Sequence, residues 1–324
     1  MSDFTRLILA CATGGVITFL AMWFLPFGKT ILGHDRGRKY VEGSEVNIGK
    51  PTGVGIYFTL IFVLCCAGFG IGNYGKGIYL MLILILLMSF IGFLDDRSKS
   101  PWGEVSKGIL DIIIAIIGSL VFIGYFDASV MISFSDHVFY LHPVVYIILS
   151  TILFIVSINA TNATDGVDGL SGTVSVLTII TLMLSAKLHG TLTYINALPG
   201  AALILILLAY LCFNHYPSKV LMGDAGSRSI GFFIAFYFMY LHLPFSYLII
   251  CLPFLIDGGL SILKITIGRL THKKIIILPK LITPVHDHLK KKLGFSAPKT
   301  MMIISLAAAI IDVFYILAVM LTVK

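Results

Sequence analysis

Long apolar runs separated by short polar connections dominate the chain. Each run is close to the roughly 20 apolar residues that a helix needs to cross a bilayer, and none shows the alternation of a membrane strand. The predicted spans are 7–27, 53–72, 77–94, 108–126, 143–159, 170–186, 197–213, 229–243, 245–268 and 301–322. The pattern therefore predicts an all-α, polytopic membrane protein with about ten transmembrane helices in one domain, residues 1–324.

The composition agrees with the pattern. Apolar residues make up 58% of the chain and charged residues only 12%. A soluble domain of this length would need more polar surface to cover its core, so the excess apolar surface is expected to face lipid. The first run is too long for the core of a signal peptide and lacks a cleavage site. We therefore interpret it as the first span.

Basic residues are distributed unevenly between the two sides. Only Arg6, Lys76, Lys187 and Lys324 fall on one side, which leaves 19 of the 23 Lys and Arg on the other. The positive-inside rule makes the basic side cytoplasmic, and ten spans then place both termini outside. The net charge of +7 favours contact with anionic lipids or an anionic substrate. No nucleic-acid motif is visible, so no nucleic-acid partner is expected.

Polar residues that could take part in catalysis or in binding gather at the cytoplasmic ends of the predicted spans. The segments are "GFLDDRSKS", "NATNATDGVDGL", "LMGDAGSRS" and "TPVHDH". They carry Asp95 and Asp96; Asn159, Asn162, Asp165 and Asp168; Asp224; and His286, Asp287 and His288. We predict one cytoplasmic active-site cleft that contains all four segments.

The acid pair opposes the dipole of the helix that it ends, so its role is not helix stability. Adjacent carboxylates repel unless a metal or nearby Lys99 offsets them. In the second segment, Gly166 and Gly169 favour a turn that could gather its amides and carboxylates around a metal or a polyhydroxylated ligand. The sequence alone leaves both ligands open.

Gly223 and Gly226 flank Asp224 where a span begins. Such a turn offers free backbone N–H groups to a phosphate, and Ser227 or Ser229 could cap the helix. Oxygen ligands without a cysteine cluster favour Mg²⁺, with Asp224 as its predicted ligand. Carboxylates, Mg²⁺, lysines and a Gly-rich turn together predict phosphoryl transfer, and the position at the membrane face predicts a lipid phosphate as one reactant.

Three further acids lie inside predicted spans, namely Asp111, Asp257 and Asp312. Charged groups are costly in the bilayer, so these should face protein or water. Asp257 precedes Gly258 and Gly259, where we expect span nine to kink.

Taken together, the motifs resemble the polyprenyl-phosphate N-acetylhexosamine-1-phosphate transferases. The resemblance runs in order from "GKPTGVGI" through "DDRSK", "NATNATDGVDGL" and "FNHYPSKVLMGDAGS" to "PVHDH". It implies a ten-helix fold with a cytoplasmic cleft in a bacterial plasma membrane. It also implies Mg²⁺-dependent transfer of a sugar 1-phosphate from a UDP-sugar to undecaprenyl phosphate, with release of UMP.

The resemblance also implies roles for individual residues. Asp95, Asp96 and Asp224 match the catalytic acids, with Asp224 as the magnesium ligand. The substrate-binding matches are Lys50, Thr52, Lys99, Lys107, Asn159, Asn162, Asp165, Asp168, Asn214, His286 and His288. Order and spacing are closest to the family's muramoyl branch, whose donor is UDP-N-acetylmuramoyl-pentapeptide.

Several positions depart from that branch. The late loop reads His286-Asp287-His288 where three histidines are usual, and Leu221 replaces an aromatic residue. Asn47 stands where a lysine is expected, with Lys50 close by, and Lys264 replaces a glutamine. Another UDP-N-acetylhexosamine, such as UDP-N-acetylglucosamine, therefore stays an alternative donor. A transporter or lipid flippase is a more distant alternative. It predicts ionisable groups near the midplane and repeated halves, whereas the main polar segments here lie at span ends on one side and no repeat is visible. A homodimer is compatible with the sequence, which leaves the oligomeric state open.

Overall fold

The computed structural model describes residues 2–25, 31–35, 48–100, 102–135, 137–275 and 277–323. Parts of the sequence prediction lie outside these residues. They are residues 26 and 27 of the first span, Asn47, and the basic residues Lys29, Arg36, Arg38, Lys39 and Lys324.

Within the described residues the fold is all-α, with two small antiparallel ladders. The long helices are α1 (Asp3–Phe24), α2 (Gly55–Phe69), α3 (Lys76–Arg97), α4 (Glu104–Tyr125), α5 (Pro143–Thr164), α6 (Leu170–Leu188), α7 (Tyr194–Asn214) and α8 (Gly223–Tyr240). The chain continues through α9 (Tyr247–Ile250), α10 (Leu252–Phe254), α11 (Leu260–Leu270), α12 (Val285–Lys291) and α13 (Ala297–Thr322). The strands are β1 (Gly33–His34) with β2 (Pro51–Thr52), and β3 (Ser129–Met131) with β4 (Val138–Tyr140).

The helices match the predicted apolar runs. In the described part of the chain, seven are long and apolar enough to span a membrane, or eight if one bent pair counts as a span. Of the remaining predicted spans, α2 has only 15 residues and α8 opens with the small and polar segment "GDAGSRS". The protein is thus a multi-pass membrane protein, and the count of ten stays a prediction.

Two spans differ from the prediction in shape. Helix α8 begins at Gly223, six residues before the predicted start at 229, so Ser227 and Ser229 lie inside it and do not cap it. Predicted span nine is broken: Pro244–Ile250 and Leu252–Leu270 meet at 62°. A π-helical turn, Leu255–Gly259, follows the break and contains Asp257. The expected irregularity at Gly258 is therefore present, and the main bend lies earlier, at Cys251.

Helix α8 is the centre of the bundle. Every residue from Ala225 to Met239 is buried, so this helix is surrounded by protein along its length. Its first turn touches α3 without intervening side chains: a Cβ on Gly92 would overlap the backbone of Asp224 and Ala225. A Cβ on Gly55 would likewise overlap the backbone of Gly226. Glycine thus allows three helices to meet at the residue predicted to bind metal.

A short paired segment lies over the same end of α3. The backbone N–H of Leu221 donates to the Pro51 carbonyl at 2.9 Å, and that of Val54 donates to the Leu221 carbonyl at 3.3 Å. Gly33 in β1 lies against the Asp96 carbonyl. The "PTG" and "LMGD" motifs, far apart in sequence, are therefore neighbours in the fold.

Candidate active site

Four carboxylates and two cations form a connected acid cluster where α3, α4 and α8 meet. Its members are Asp95, Asp96, Asp111, Asp224, Lys107 and Arg228. Asp95 and Asp96 come from the last turn of α3, Asp224 from the first turn of α8, and Lys107 and Asp111 from the start of α4. The predicted acid pair and the predicted metal ligand are thus brought together.

Lys107 joins the carboxylates of two helices. Its Nζ lies 2.5 Å from Asp95 Oδ2 and 3.0 Å from Asp224 Oδ2. The other Asp95 oxygen accepts a hydrogen bond from the Trp102 backbone at 2.6 Å. For the acid pair the sequence offered a metal or Lys99 as the neutralising charge, and it placed Lys99 and Lys107 together near the phosphates. In the structure Lys107 is the cation that bridges Asp95 and Asp224, because α4 returns it to the end of α3. A direct role of exposed Lys99 stays a prediction.

Asp96 caps helix α8. Its carboxylate accepts the backbone N–H of Asp224 at 3.1 Å and that of Ala225 at 3.0 Å. Gly223, with φ of 65°, brings its Cα against this carboxylate, where a Cβ would clash. We expected these N–H groups to be free for a phosphate; that expectation was wrong for these two, because Asp96 fills the position of the anion at the positive helix end.

The sequence did not single out Arg228, and it treated Asp111 only as a costly acid in a span. The two form a buried ion pair through Arg228 Nη2 and Asp111 Oδ1. Arg228 Nη1 also lies 3.6 Å from Asp224 Oδ2. The signal was available in the spacing: Arg228 follows Asp224 by four residues on α8, and residues so spaced share a helix face.

The polar segment 159–168 directs three of its four polar side chains to different elements. Asn159 donates to Asp111 Oδ2 at 3.2 Å, whereas Asn162 accepts from the Ser227 hydroxyl at 3.0 Å. Asp168 accepts the Ser218 backbone N–H at 2.9 Å. The turn at Gly166 and Gly169 exists, but Asn159 and Asn162 precede it inside α5. Asp165 begins this turn and is half-buried.

A second group of predicted residues shapes the loop before α8. Asn214 is buried; its oxygen accepts from Gly169 N and its amide donates to the Val220 carbonyl. Lys50 donates to Ser218 at 3.0 Å and lies 3.9 Å from Asp168. Thr52 pairs with Gly33 in the β1–β2 ladder. These contacts fix the loops around the acid cluster, and direct substrate contact by these residues stays a prediction.

The late loop is anchored by a buried histidine. His286 Nδ1 lies 2.9 Å from Asp257 Oδ2, and the His286 backbone donates to the other oxygen at 2.6 Å. The ring packs on Gly166, which has no Cβ to obstruct it. His288 Nδ1 accepts the Ile282 backbone N–H at 3.2 Å. Asp257, which lies inside predicted span nine, thus faces protein as predicted. Through His286 it links this late loop to the turn at Gly166.

The acid cluster suits Mg²⁺ in charge and in donor type. Its four acidic side chains meet two basic ones within the contacts described, so acidic groups are in excess. No three His, Cys, Asp or Glu side chains among the described residues are grouped to hold an ion alone. Mg²⁺ is usually held by one or two carboxylates with substrate phosphates and waters, so partly exposed Asp224 is a fitting protein ligand.

Comparison with known proteins gives a consistent result. A family model described as glycosyl transferase family 4 matches residues 78–242. The chain is 30% identical over 311 residues to the phospho-N-acetylmuramoyl-pentapeptide-transferase of Treponema pallidum strain Nichols, covering 88% of this chain and 82% of the relative. It is 26% identical over 292 residues to the protein of that name from Streptococcus pneumoniae strain 70585, covering 85% and 86%.

Proposed function

This chain belongs to glycosyl transferase family 4, and we propose that it is the enzyme of the first membrane step of peptidoglycan synthesis. It transfers phospho-N-acetylmuramoyl-pentapeptide from the UDP-linked donor to undecaprenyl phosphate and releases UMP. The names of its relatives support this reaction. The observation that carries it is the acid cluster, with Lys107 bound to both Asp95 and Asp224 at one end of an apolar bundle.

The reaction joins two anions. An oxygen of undecaprenyl phosphate attacks the β-phosphorus of the UDP-sugar, the bond from that phosphorus to the bridging oxygen breaks, and UMP leaves with the bonding electrons. Repulsion between the phosphates opposes the approach, so positive charge at the site lowers the barrier. Lys107 is the cluster cation whose partly exposed ammonium can turn towards a phosphate.

The two acids of α3 have different surroundings. Asp95 is held by Lys107 and by the Trp102 backbone, whereas Asp96 accepts two N–H groups of α8. We propose that Asp95 accepts the proton of the lipid phosphate, because Oδ2 of Asp95 becomes free when Lys107 moves to the substrate. Asp96 then serves mainly to place Asp224. The sequence had left this assignment open between the two.

We propose Asp224 as the magnesium ligand. It is the most exposed carboxylate of those paired with Lys107 and Arg228 in the described cluster. Bound Mg²⁺ supplies positive charge that screens the donor phosphates and the departing UMP. Asp96 holds the backbone that carries Asp224, and Lys107 and Arg228 fix its carboxylate from two sides.

The donor is tested by turnover. Purified protein with polyprenyl phosphate and Mg²⁺ is given UDP-N-acetylmuramoyl-pentapeptide or UDP-N-acetylglucosamine at matched concentration, and UMP release is measured. We expect the muramoyl donor to react faster by at least about tenfold, a difference near 1.4 kcal/mol in barrier. Equal or faster release with UDP-N-acetylglucosamine would overturn the donor assignment and leave the reaction class intact.

We further propose a bacterial plasma-membrane location with the acid cluster in the cytoplasm and both termini outside. The support is the basic-residue asymmetry. Residues 260–299 alone carry nine Lys and Arg against one acid, Asp287. The homodimer stays a prediction.

The topology is tested by labelling. In a background without the native cysteines, Ser2→Cys and Lys292→Cys are each treated with a membrane-impermeant maleimide in intact cells. We expect Ser2→Cys to react and Lys292→Cys to react only after permeabilisation. Labelling of Lys292→Cys from outside intact cells would contradict the orientation.

A further inference from the structure

The ion pair of Arg228 and Asp111 is the most deeply buried charged contact described in the acid cluster. The two residues are 1% and 2% exposed. Removing both ions from water costs several kcal/mol each, and their attraction offsets this only with good geometry and further hydrogen bonds. The pair is therefore weak evidence for stability, and its contacts point to another role.

Those contacts lead to the predicted metal ligand Asp224 and to the backbone of Lys107. Arg228 Nη1 lies 3.6 Å from Asp224 Oδ2, and Nη2 lies 3.4 Å from the Lys107 carbonyl. Asp224 precedes Arg228 by four residues on α8, and Lys107 precedes Asp111 by four on α4. The pair thus lies one turn further into the bundle than Asp224 and Lys107 and contacts both.

The pair also has an anchor on a third helix. The second oxygen of Asp111 accepts a hydrogen bond from Asn159 on α5 at 3.2 Å. Asn159 holds Asp111, and Asp111 holds the guanidinium of Arg228. The Arg228 side chain consequently has little freedom to move. Lys107 differs, because its side chain and that of Asp224 are both partly exposed, so its ammonium can leave Asp224 for a substrate phosphate.

The guanidinium keeps two unused donors, and one of them, Nη1, lies beside Asp224. Both Nε and Nη1 lack a hydrogen-bond partner although they are buried. Nη1 is too far from Asp224 for a hydrogen bond but close enough for a strong charge interaction. A planar guanidinium faces Asp111 and Asp224 through two different nitrogens that are held in one rigid plane, whereas the donors of an ammonium share a single nitrogen.

From these contacts we infer that Arg228, held by Asp111, is a positioning residue that fixes the Asp224 carboxylate when Lys107 turns to substrate. The inference rests on the proposed function for its turnover readout. It goes beyond it by giving Asp224 a second, permanent cationic partner. Its consequence is a division of labour: Lys107 is the mobile cation of the site and Arg228 the stationary one.

Two variants separate positioning from a structural role. Arg228→Lys keeps a charge that reaches Asp111 but loses the planar guanidinium. The double variant Asp111→Asn with Arg228→Leu removes both buried charges together, so neither is left unpaired. Arg269→Lys, at an exposed position of α11, is the matched control. For the two variants and the control we measure the melting temperature, kcat, KM for both substrates, and the Mn²⁺ affinity without substrate.

We expect both variants to fold with a melting temperature close to wild type. Misplacement of Asp224 should lower kcat at least about tenfold with KM within about threefold, and should weaken Mn²⁺ binding by at least about threefold. The control should match wild type. A folded variant with kcat within about twofold of wild type and unchanged Mn²⁺ affinity would overturn the inference, as would failure of Arg228→Lys to fold, which would make the pair a requirement of the bundle.

The two proposals fail in different ways. If wild type releases no UMP from either donor, the proposed function is wrong. The Mn²⁺ affinities then still decide the inference, because they need no substrate. Asp224→Asn supplies the baseline in which the predicted ligand is lost.

Discussion

Replacement of Asp224 by asparagine is expected to lower turnover at least about 1,000-fold, roughly 4 kcal/mol in barrier, with little loss of folding. Asparagine keeps the shape of the side chain and one oxygen that can accept a hydrogen bond from Lys107. In the wild-type structure Lys107 Nζ lies 3.0 Å from Asp224 Oδ2. It removes the charge that would hold Mg²⁺ against the donor phosphates. UMP release and Mn²⁺ binding by the purified variant measure the effect.

Asp3→Asn is the matched control for this substitution, because Asp3 begins α1 and lies outside the acid cluster. It should retain wild-type turnover. Activity of Asp224→Asn above about a tenth of wild type, a change under roughly 1.4 kcal/mol, would mean that Asp224 is not the principal metal ligand.

Replacement of Lys107 by glutamine is expected to lower kcat at least about 100-fold, the scale observed when one donor aimed at developing charge is removed. The loss has two causes. Asp95 and Asp224 no longer share a cation, and the incoming phosphates lose the mobile positive charge of the site. Steady-state kinetics at saturating Mg²⁺ separates kcat from KM.

Lys76→Gln is the control for Lys107, since Lys76 begins α3 and so lies at the opposite end of the helix that carries Asp95. Its turnover should equal that of wild type. The role of Lys107 is refuted if Lys107→Gln, folded by its melting temperature, keeps kcat within about fivefold. A larger loss in Lys99→Gln than in Lys107→Gln would give the main cationic role to Lys99, the other lysine that the sequence placed near the phosphates.

Much of the helical fold follows from local information. Apolar runs of span length predicted helices whose ends agree within a few residues, as for α3 against 77–94 and α6 against 170–186. The start of α8 was missed because Gly223, Asp224 and Gly226 are ordinary turn residues by local propensity. They are helical here because Asp96, 128 residues away, caps the first turn.

The site shows the same limit. Motif order brought Asp95, Asp96 and Asp224 together correctly, because each stands at the end of a predicted span on one side. Pairings between helices were not visible: the lysine that joins Asp95 to Asp224 is Lys107, and Arg228 with Asp111 was not foreseen. Such pairs depend on the rotation of each helix about its axis, which a lipid-facing apolar run specifies weakly.

The polar segment 159–168 was misjudged for a related reason. Gly166 and Gly169 suggested a turn that could gather its four residues around one ligand, but the turn at Gly169, with φ of 77°, directs Asp168 towards the loop before α8. Asn159 and Asn162 stay in α5 and meet α4 and α8. The side chains of Asn159, Asn162 and Asp168 therefore point to three different elements.

The backbone contact at Gly92 has a consequence for how the site could have diverged among its relatives. Because α3 meets α8 there without side chains, the separation of Asp96 from Asp224 is set by the thickness of two main chains. Exchange of neighbouring apolar residues leaves that separation unchanged. Substitutions of side chains around the acid cluster can therefore accumulate while the spacing of the two acids stays constant.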